Sequence, residues 1–341
     1  MSSKPAGGVV VNQSYAGQRV TGQQRYAAEV SRRLLAHPSF AGTVPEGPWA
    51  TSTLRTWAWV QLALPVQTRS DVLLSMTSRA PVMHRRQVLV VHDLFVLTNP
   101  EWFSPSYHRT HAPLLRAQLR LATAVVAVSE ATADDVSTIY SRSLVVAPNA
   151  PSSVFTIDES KTELSLSALT DLAPGSYFLA VGSQEPRKNL ARLAEAYGLL
   201  DPEIRRAHPL VVVGASNPIY QEEQIPWPVE TRVMGYVSDD ELRELYAAAA
   251  AVVLVSLAEG FGLPLVEAAA SGTGQLVLSD IPVFRWIAGD EAHFVDPLDV
   301  TSICDGLRQA LQTSRPHDID LARFDWDASA LAVRDLCLEH L

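Results

Sequence analysis

Two carboxylates stand eight residues apart across a glycine-bearing turn in Ser256-Leu-Ala-Glu259-Gly-Phe-Gly-Leu-Pro-Leu-Val-Glu267. An apolar run precedes the turn and a helical pattern follows it, which predicts a buried strand, a turn and a helix. Pro264 suits a first helical position, where its missing N–H costs nothing. Gly260 and Gly262 let a backbone approach a ligand closely, and the free amides of a helix start suit a diphosphate. One carboxylate could then reach a sugar while the other holds two ribose hydroxyls. A plain tight turn with a helix-start glutamate favoured by the dipole fits the same residues. A second loop, Gly182-Ser-Gln-Glu-Pro-Arg187-Lys188-Asn189, also joins a strand to a helix. Adjacent cations at a helix N-terminus are disfavoured by the dipole, unless an anion sits between them and the free amides. A planar guanidinium fork beside an ammonium point charge suits phosphate oxygens, although a solvated surface pair has the same spelling. His92, in Val90-Val-His-Asp-Leu94, falls at the C-terminal edge of an apolar strand, where ligands gather. A structural histidine is the other reading. Gly17 and Gly22 belong to a loop that feeds a helix after the first strand, a weak signal when taken alone.

These residues need a frame that gathers strand ends. The 341 residues suit two domains of roughly 150 residues each. Apolar residues make up 47% of the chain and mean hydropathy is +0.07, as in a soluble globule. Apolar β-rich runs alternate with helical patterns throughout, which predicts an α/β class with parallel sheets and covering helices. Strands are expected at residues 8–12, 72–75, 88–92, 124–128 and 144–147, with helices at 22–36, 105–122 and 130–140. The alternation restarts with strands at 177–181, 210–213, 232–234 and 252–255 and helices at 189–200, 239–249 and 264–270. Two doubly wound domains facing one another would place a ligand cleft between their strands' C-terminal edges. The expected division is a first domain over 1–155, a linker over 156–175, a second domain over 176–326, and a final helix over 327–341 packing back on the first domain.

Composition narrows the chemistry further. The two cysteines, Cys304 and Cys337, read as apolar thiols in a reducing compartment, and no Cys/His spacing suggests zinc. The first residues lack the layout of a signal peptide. The longest apolar run, Ala247–Val255, is too short to span a bilayer and reads as a helix end entering a buried strand. The net charge of −10 hides a split: residues 1–155 carry +6 and the remainder −16. A basic half suggests an anionic partner, but overall acidity without basic-aromatic clusters argues against nucleic acid.

Taken in order, these motifs resemble those of the family-4 glycosyltransferases, above all the mannosyl- and rhamnosyltransferase branches. The resemblance is clearest from Tyr177 to Ser271, through the RKN loop, the stretch GYVSDDELRELYAAA and the E-x7-E segment. It extends to VVHDLFVLTNPEWFSPSY, AVVAVSEATADDV and TGQQRY in the first half. It implies the GT-B architecture of two Rossmann-like domains and retaining, metal-independent transfer of a hexose, mannose from GDP-mannose first, to a glycan or lipid-linked hydroxyl. Glu267 would take the donor ribose, Glu259 the hydroxyls of the transferred sugar, and Arg187 and Lys188 the diphosphate. The backbone of Gly260, Phe261, Gly262 and Leu263 would contact the donor, and Tyr236 and Val237 would border the base. His92 would lie beside the donor sugar, and the Gly17–Gly22 loop would close over diphosphate and acceptor. No metal and no cofactor are implied beyond the nucleotide-sugar. The two thiols point to a cytoplasmic location, and the charge of the basic half to peripheral contact with an anionic membrane. The pattern is broken at Ser183, where some members carry arginine, at Gly272-Thr-Gly-Gln-Leu-Val277 in place of Gly-Thr-Pro-Val, and at Trp286, where an acid is common. A non-catalytic nucleotide-binding subunit and a sugar-nucleotide epimerase share the architecture.

Overall fold

The computed structural model describes residues 7–18, 21–156, 173–215, 219–220, 224–313 and 317–341. The chain divides into two compact units, one made of Met1–Thr98, Pro105–Asn149 and Phe324–Leu341, the other of Asn99–Ser104 and Ala150–Arg323. The boundaries differ from those expected. Residues 150–155 belong to the second unit, where Ser271 Oγ donates to the Phe155 carbonyl at 3.4 Å. Residues 99–104 belong there too, because Ser104 N–H donates to the Ile219 carbonyl at 3.0 Å. Of the expected linker, residues 157–172 lie outside the described residues, as do Arg19 and Val20 of the Gly17–Gly22 loop.

The first unit is built on β1 (Val9–Asn12), β2 (Phe40–Thr43), β3 (Val72–Ser75), β4 (Gln87–Val91), β5 (Ala124–Ala127) and β6 (Ser143–Val146). All pair in parallel, in the order β2-β1-β3-β4-β5-β6. The inner strands β1, β3, β4 and β5 are buried at every position. Helices cover both faces of such a sheet, so its strands read as unbroken Val/Leu/Ala runs rather than alternating ones. The helix Glu130–Ser137 is capped by Ser129, whose hydroxyl accepts from Thr132 N–H at 3.0 Å. The last helix, Trp326–Glu339, begins on Asp325, whose carboxylate accepts from Ala328 N–H at 2.7 Å. It packs on the helix Gly22–Leu34, where Tyr26 meets Trp326 edge to face at 5.8 Å.

The second unit holds β7 (Phe178–Val181), β8 (Leu210–Val213), β9 (Arg232–Met234), β10 (Ala251–Leu254), β11 (Leu276–Ser279) and β12 (His293–Val295). They too are parallel, in the order β12-β11-β10-β7-β8-β9. Phe178, Leu193, Tyr197, Leu210, Val253 and Leu307 form its core. The order reverses between β7 and β10, so consecutive connections leave on opposite sides there and open a crevice at the strands' C-terminal ends. Two parallel six-stranded sheets with flanking helices make the chain an α/β protein of two doubly wound units. Cys304 and Cys337 are both free and buried, and no helix among the described residues is long and apolar enough to cross a membrane.

Candidate active site

Two loops leave the reversal point of the second sheet, one after β7 and one after β10, and they carry the cationic and the acidic motif. After β7, Pro186–Lys188 make a single 3-10 turn, and Asn189 stands in the left-handed region at φ 59° before the helix Leu190–Gly198. Asparagine tolerates that conformation. Its side chain also repays the strain, because Asn189 Nδ2 donates to the carbonyls of Val255 at 3.0 Å and Pro297 at 2.7 Å. Leu257 N–H donates to the Arg187 carbonyl at 2.8 Å. The two loops are therefore laced together before any charge is considered. Glycine is required where the strand ends touch: a Cβ on Gly214 would stand 1.9 Å from the Gly182 carbonyl oxygen, and one on Gly182 would press on the Lys188 stem at 3.0 Å.

The charges then meet. Arg187 Nη1 donates to Glu259 Oε2 and to the Ala258 carbonyl, the latter at 3.1 Å. Its Nη2 reaches Glu185 Oε1 at 2.8 Å. Lys188 Nζ donates to Glu259 Oε1 at 2.6 Å, and Ser256 Oγ donates to the same oxygen at 2.7 Å. None of the four ionic side chains is more than 14% exposed. Burial alone would raise the Glu259 carboxyl. The Arg187 and Lys188 charges, with the hydrogen bonds from Lys188 and Ser256, overcome burial and hold it at about 2. The anion that the sequence demands between the two cations is thus, in this structure, a carboxylate of the chain itself. Glu259 faces Arg187 and Lys188. Two cations and two carboxylates buried together need this mutual pairing, since an unpaired member would cost several kcal/mol.

Glu267 lies in the helix Leu263–Ala270 and is buried. That helix starts at Leu263, so Pro264 occupies its second position rather than the first. Gly262 precedes it at φ 94°, and a Cβ there would approach Phe284 to 2.8 Å. Phe261 is buried and meets Trp286 edge to face at 6.1 Å, which explains the aromatic residue at a position where the motif usually has an acid. The helix closes with a Schellman turn: Gly272 lies at φ 77°, its N–H donates to Ala269, and Thr273 N–H donates to Ala268. The altered Gly272–Val277 stretch therefore retains a regular helix stop and runs on into β11. Tyr236 is exposed in the loop between β9 and the helix Asp239–Ala248, with the half-buried Val237 beside it. Ser238 and Glu241 form a capping box that fixes the start of that helix.

In the first unit, His92 follows β4 directly and is partly buried. Its Nε2 lies 2.9 Å from the Met76 carbonyl, and its ring meets Tyr26 edge to face at 5.4 Å. A carbonyl only accepts, so Nε2 carries the proton and Nδ1 is left as an acceptor. Burial lowers the His92 pKa to about 4, against the opposing hydrogen bond to Met76. Gly17 is at φ 78°, and Gly22 opens the first helix behind the extended Thr21. The structure thus brings Arg187, Lys188 and Glu259 into one cluster beside the turn of residues 260–263. His92 stands at a strand end of the other sheet, Gly17 lies in the loop after β1, and Gly22 opens the helix that follows. Glu185, Ser256 and Asn189 take part unforeseen; a buried carboxylate two residues from an arginine was visible in the loop, but the loop lacing that uses it was not. Among the described residues no group of three or more His, Cys, Asp or Glu could hold a metal ion.

The two doubly wound units have the GT-B fold, and comparison with known proteins gives the family. Residues 173–323 match the family model described as glycosyl transferases group 1. The chain is 31% identical over 260 residues to the O-antigen chain mannosyltransferase B of Escherichia coli, covering 71% of this chain and 67% of that one. It is 26% identical over 287 residues to the O-antigen chain mannosyltransferase RfbU of Salmonella typhimurium, covering 79% and 74%. Among solved structures, a sucrose-phosphate synthase from Thermosynechococcus elongatus shares the fold with a TM-score of 0.74 at 16% identity, over 98% of both chains. This chain belongs to the group 1, or family-4, glycosyltransferases, and it is an enzyme.

Proposed function

We propose that the chain moves mannose from GDP-mannose, with retention of configuration and without a metal, to a hydroxyl of a glycan or lipid-linked acceptor. The observation that carries this is the paired Arg187 and Lys188 at the reversal point of the second sheet, already holding an anion there. In transfer the bond from the sugar carbon to the β-phosphate breaks, and negative charge grows on the departing oxygen. Fixed cations and the amides at residues 260–263 stabilise that charge without the reorganisation that water would need, the task a metal performs elsewhere. The acceptor oxygen attacks from the face the phosphate leaves, and its proton passes to the departing phosphate oxygen. Glu267 would hold the ribose, and Glu259 the sugar hydroxyls once phosphate replaces it on the cations. Tyr236 and Val237 would border the base. His92 would lie beside the donor sugar, and the Gly17–Gly22 loop would close over the diphosphate. Mannose and an O-antigen-type acceptor rest on the names of the relatives, and a cytoplasmic setting agrees with both free thiols.

Lys188→Ala and Glu259→Ala should each lower transfer from GDP-mannose at least a thousandfold with unchanged circular dichroism, and EDTA should leave wild-type turnover intact. Wild-type-like turnover in both variants would refute the assignment. Loss of activity in EDTA, restored by a divalent cation, would refute metal independence.

A further inference from the structure

The first unit carries a surface with no part in the chemistry above. Thr53–Ala58, a π turn over Trp59–Ala63 and Leu64–Gln67 form one helical run, in which Leu64 N–H reaches back to the Trp59 carbonyl. The wide turn accommodates Pro65, which brings no N–H and whose ring would press on the carbonyl four residues back. One face of the run is buried, with Trp59, Val60 and Leu64 packed on Val10 and Leu73. The opposite face is apolar as well: Leu54 is 75% exposed, Leu62 67% and Val66 66%, and Trp57 stands out beside them. Met83, 73% exposed, is held against the same run, because Gln61 Oε1 accepts from Val82 N–H at 3.1 Å and Thr68 Oγ1 lies 3.2 Å from His84 Nε2. Trp49 joins at the other end, its carbonyl accepting from Thr56 Oγ1 at 3.0 Å.

The charge along this stretch is nearly all of one sign, the exception at its edge being the exposed Glu46 before the turn that carries Trp49. Between residues 47 and 92 the sole acidic residue is Asp71, which is buried and accepts from Gly8 N–H. Arg55, Arg69 and Arg85 are exposed. A helix covering a core normally turns charge outward, and a contiguous exposed apolar face marks an interaction. Apolar side chains, tryptophans and arginines with few acids suit the headgroup region of an anionic bilayer, where leucines enter the interface and guanidiniums meet lipid phosphate. A second copy of the chain fits worse, since pairing this face with itself opposes the same arginines.

We propose that the outer face of Thr53–Gln67, with Met83, docks on anionic lipid. The readout needs no sugar donor, so it stands or falls apart from the transferase reading. The full chain should co-sediment with vesicles of phosphatidylglycerol and phosphatidylcholine at least tenfold more strongly than with phosphatidylcholine alone. Leu54→Glu/Leu62→Glu should cut that partition at least tenfold while keeping the wild-type circular dichroism and melting temperature, because both side chains lie outside the core. Val66→Glu, singly, gives the same readout where the double variant does not fold. Equal partition to both vesicle types, or wild-type partition by the folded variants, would overturn the proposal. So would a dimer in sedimentation equilibrium that the same substitutions convert to monomer, since that assigns the face to a second copy.

Discussion

At the residue scale, Glu259 would compete with the diphosphate proposed for this site. Its carboxylate accepts from Arg187, Lys188 and Ser256 together, so a diphosphate reaching those cations must displace it. Removing its charge should then help phosphate and harm sugar. Glu259→Gln is expected to bind inorganic pyrophosphate at least fivefold more tightly by titration calorimetry while losing transfer, and unchanged or weaker binding would show that Glu259 does not occupy the phosphate seat. Glu185 accepts from Arg187 Nη2 at 2.8 Å and would keep the fork oriented during such an exchange. His92 makes a prediction about pH. With a folded pKa near 4 against an ordinary 6.5, folded and unfolded chains are both neutral at this residue above about 6.5. Between 6.5 and 4 the unfolded chain takes up a proton that the folded chain does not, so stability falls as the pH falls. The melting temperature of His92→Asn should decline less steeply than wild type over that window; parallel curves would mean that the histidine is not held neutral.

At the element scale, glycine positions carry the site. Gly262 combines φ 94° with a Cβ position 2.8 Å from Phe284, so alanine there meets both backbone strain and a ring. Gly262→Ala should cost about 1–3 kcal/mol, seen as a lower denaturation midpoint at unchanged slope; a wild-type midpoint would show that the turn relaxes freely. The same scale shows what the sequence made legible. Runs such as Leu210–Val213 and Ala251–Leu254 declare buried parallel strands because both faces are covered. The short edge strand Phe40–Thr43 (FAGT), half open to solvent, carries neither an apolar run nor an alternation and was not anticipated. Strands β11 and β12 escaped likewise, with the helices Pro282–Ala288 and Val300–Gln312 between and after them, beyond the motif that held attention. The 53–67 run escaped because apolar residues on both faces and a π turn erase the 3.6-residue period. Motif residues were legible one by one, whereas the pairing of Glu259 with Arg187 and Lys188 depends on two loops meeting at the reversal of strand order.

At the scale of the whole molecule, a strongly acidic second half holds the site proposed for an anionic donor. The paradox is resolved by range: exposed charges are screened beyond about 8–10 Å at physiological salt, whereas buried Arg187 and Lys188 act at contact distance. The basic first half, with its acid-free stretch from 47 to 92 apart from Asp71, sets the opposite field where a lipid surface is proposed. Net charge therefore speaks to partners rather than to the site, whose sign is set locally.

The central claim, that Arg187 and Lys188 seat the diphosphate of a nucleotide-sugar, is tested most directly by thermal shift of wild type and Lys188→Ala against a panel of GDP-, UDP- and dTDP-sugars. A ligand that binds the folded state stabilises it by an amount that grows with the logarithm of its concentration over Kd, about 2.7 kcal/mol at a hundredfold excess. The account predicts a clear rise in the wild-type melting temperature with one nucleotide class, GDP-mannose first, and its loss in Lys188→Ala. An equal rise in both proteins, or none with any member of the panel, would contradict it.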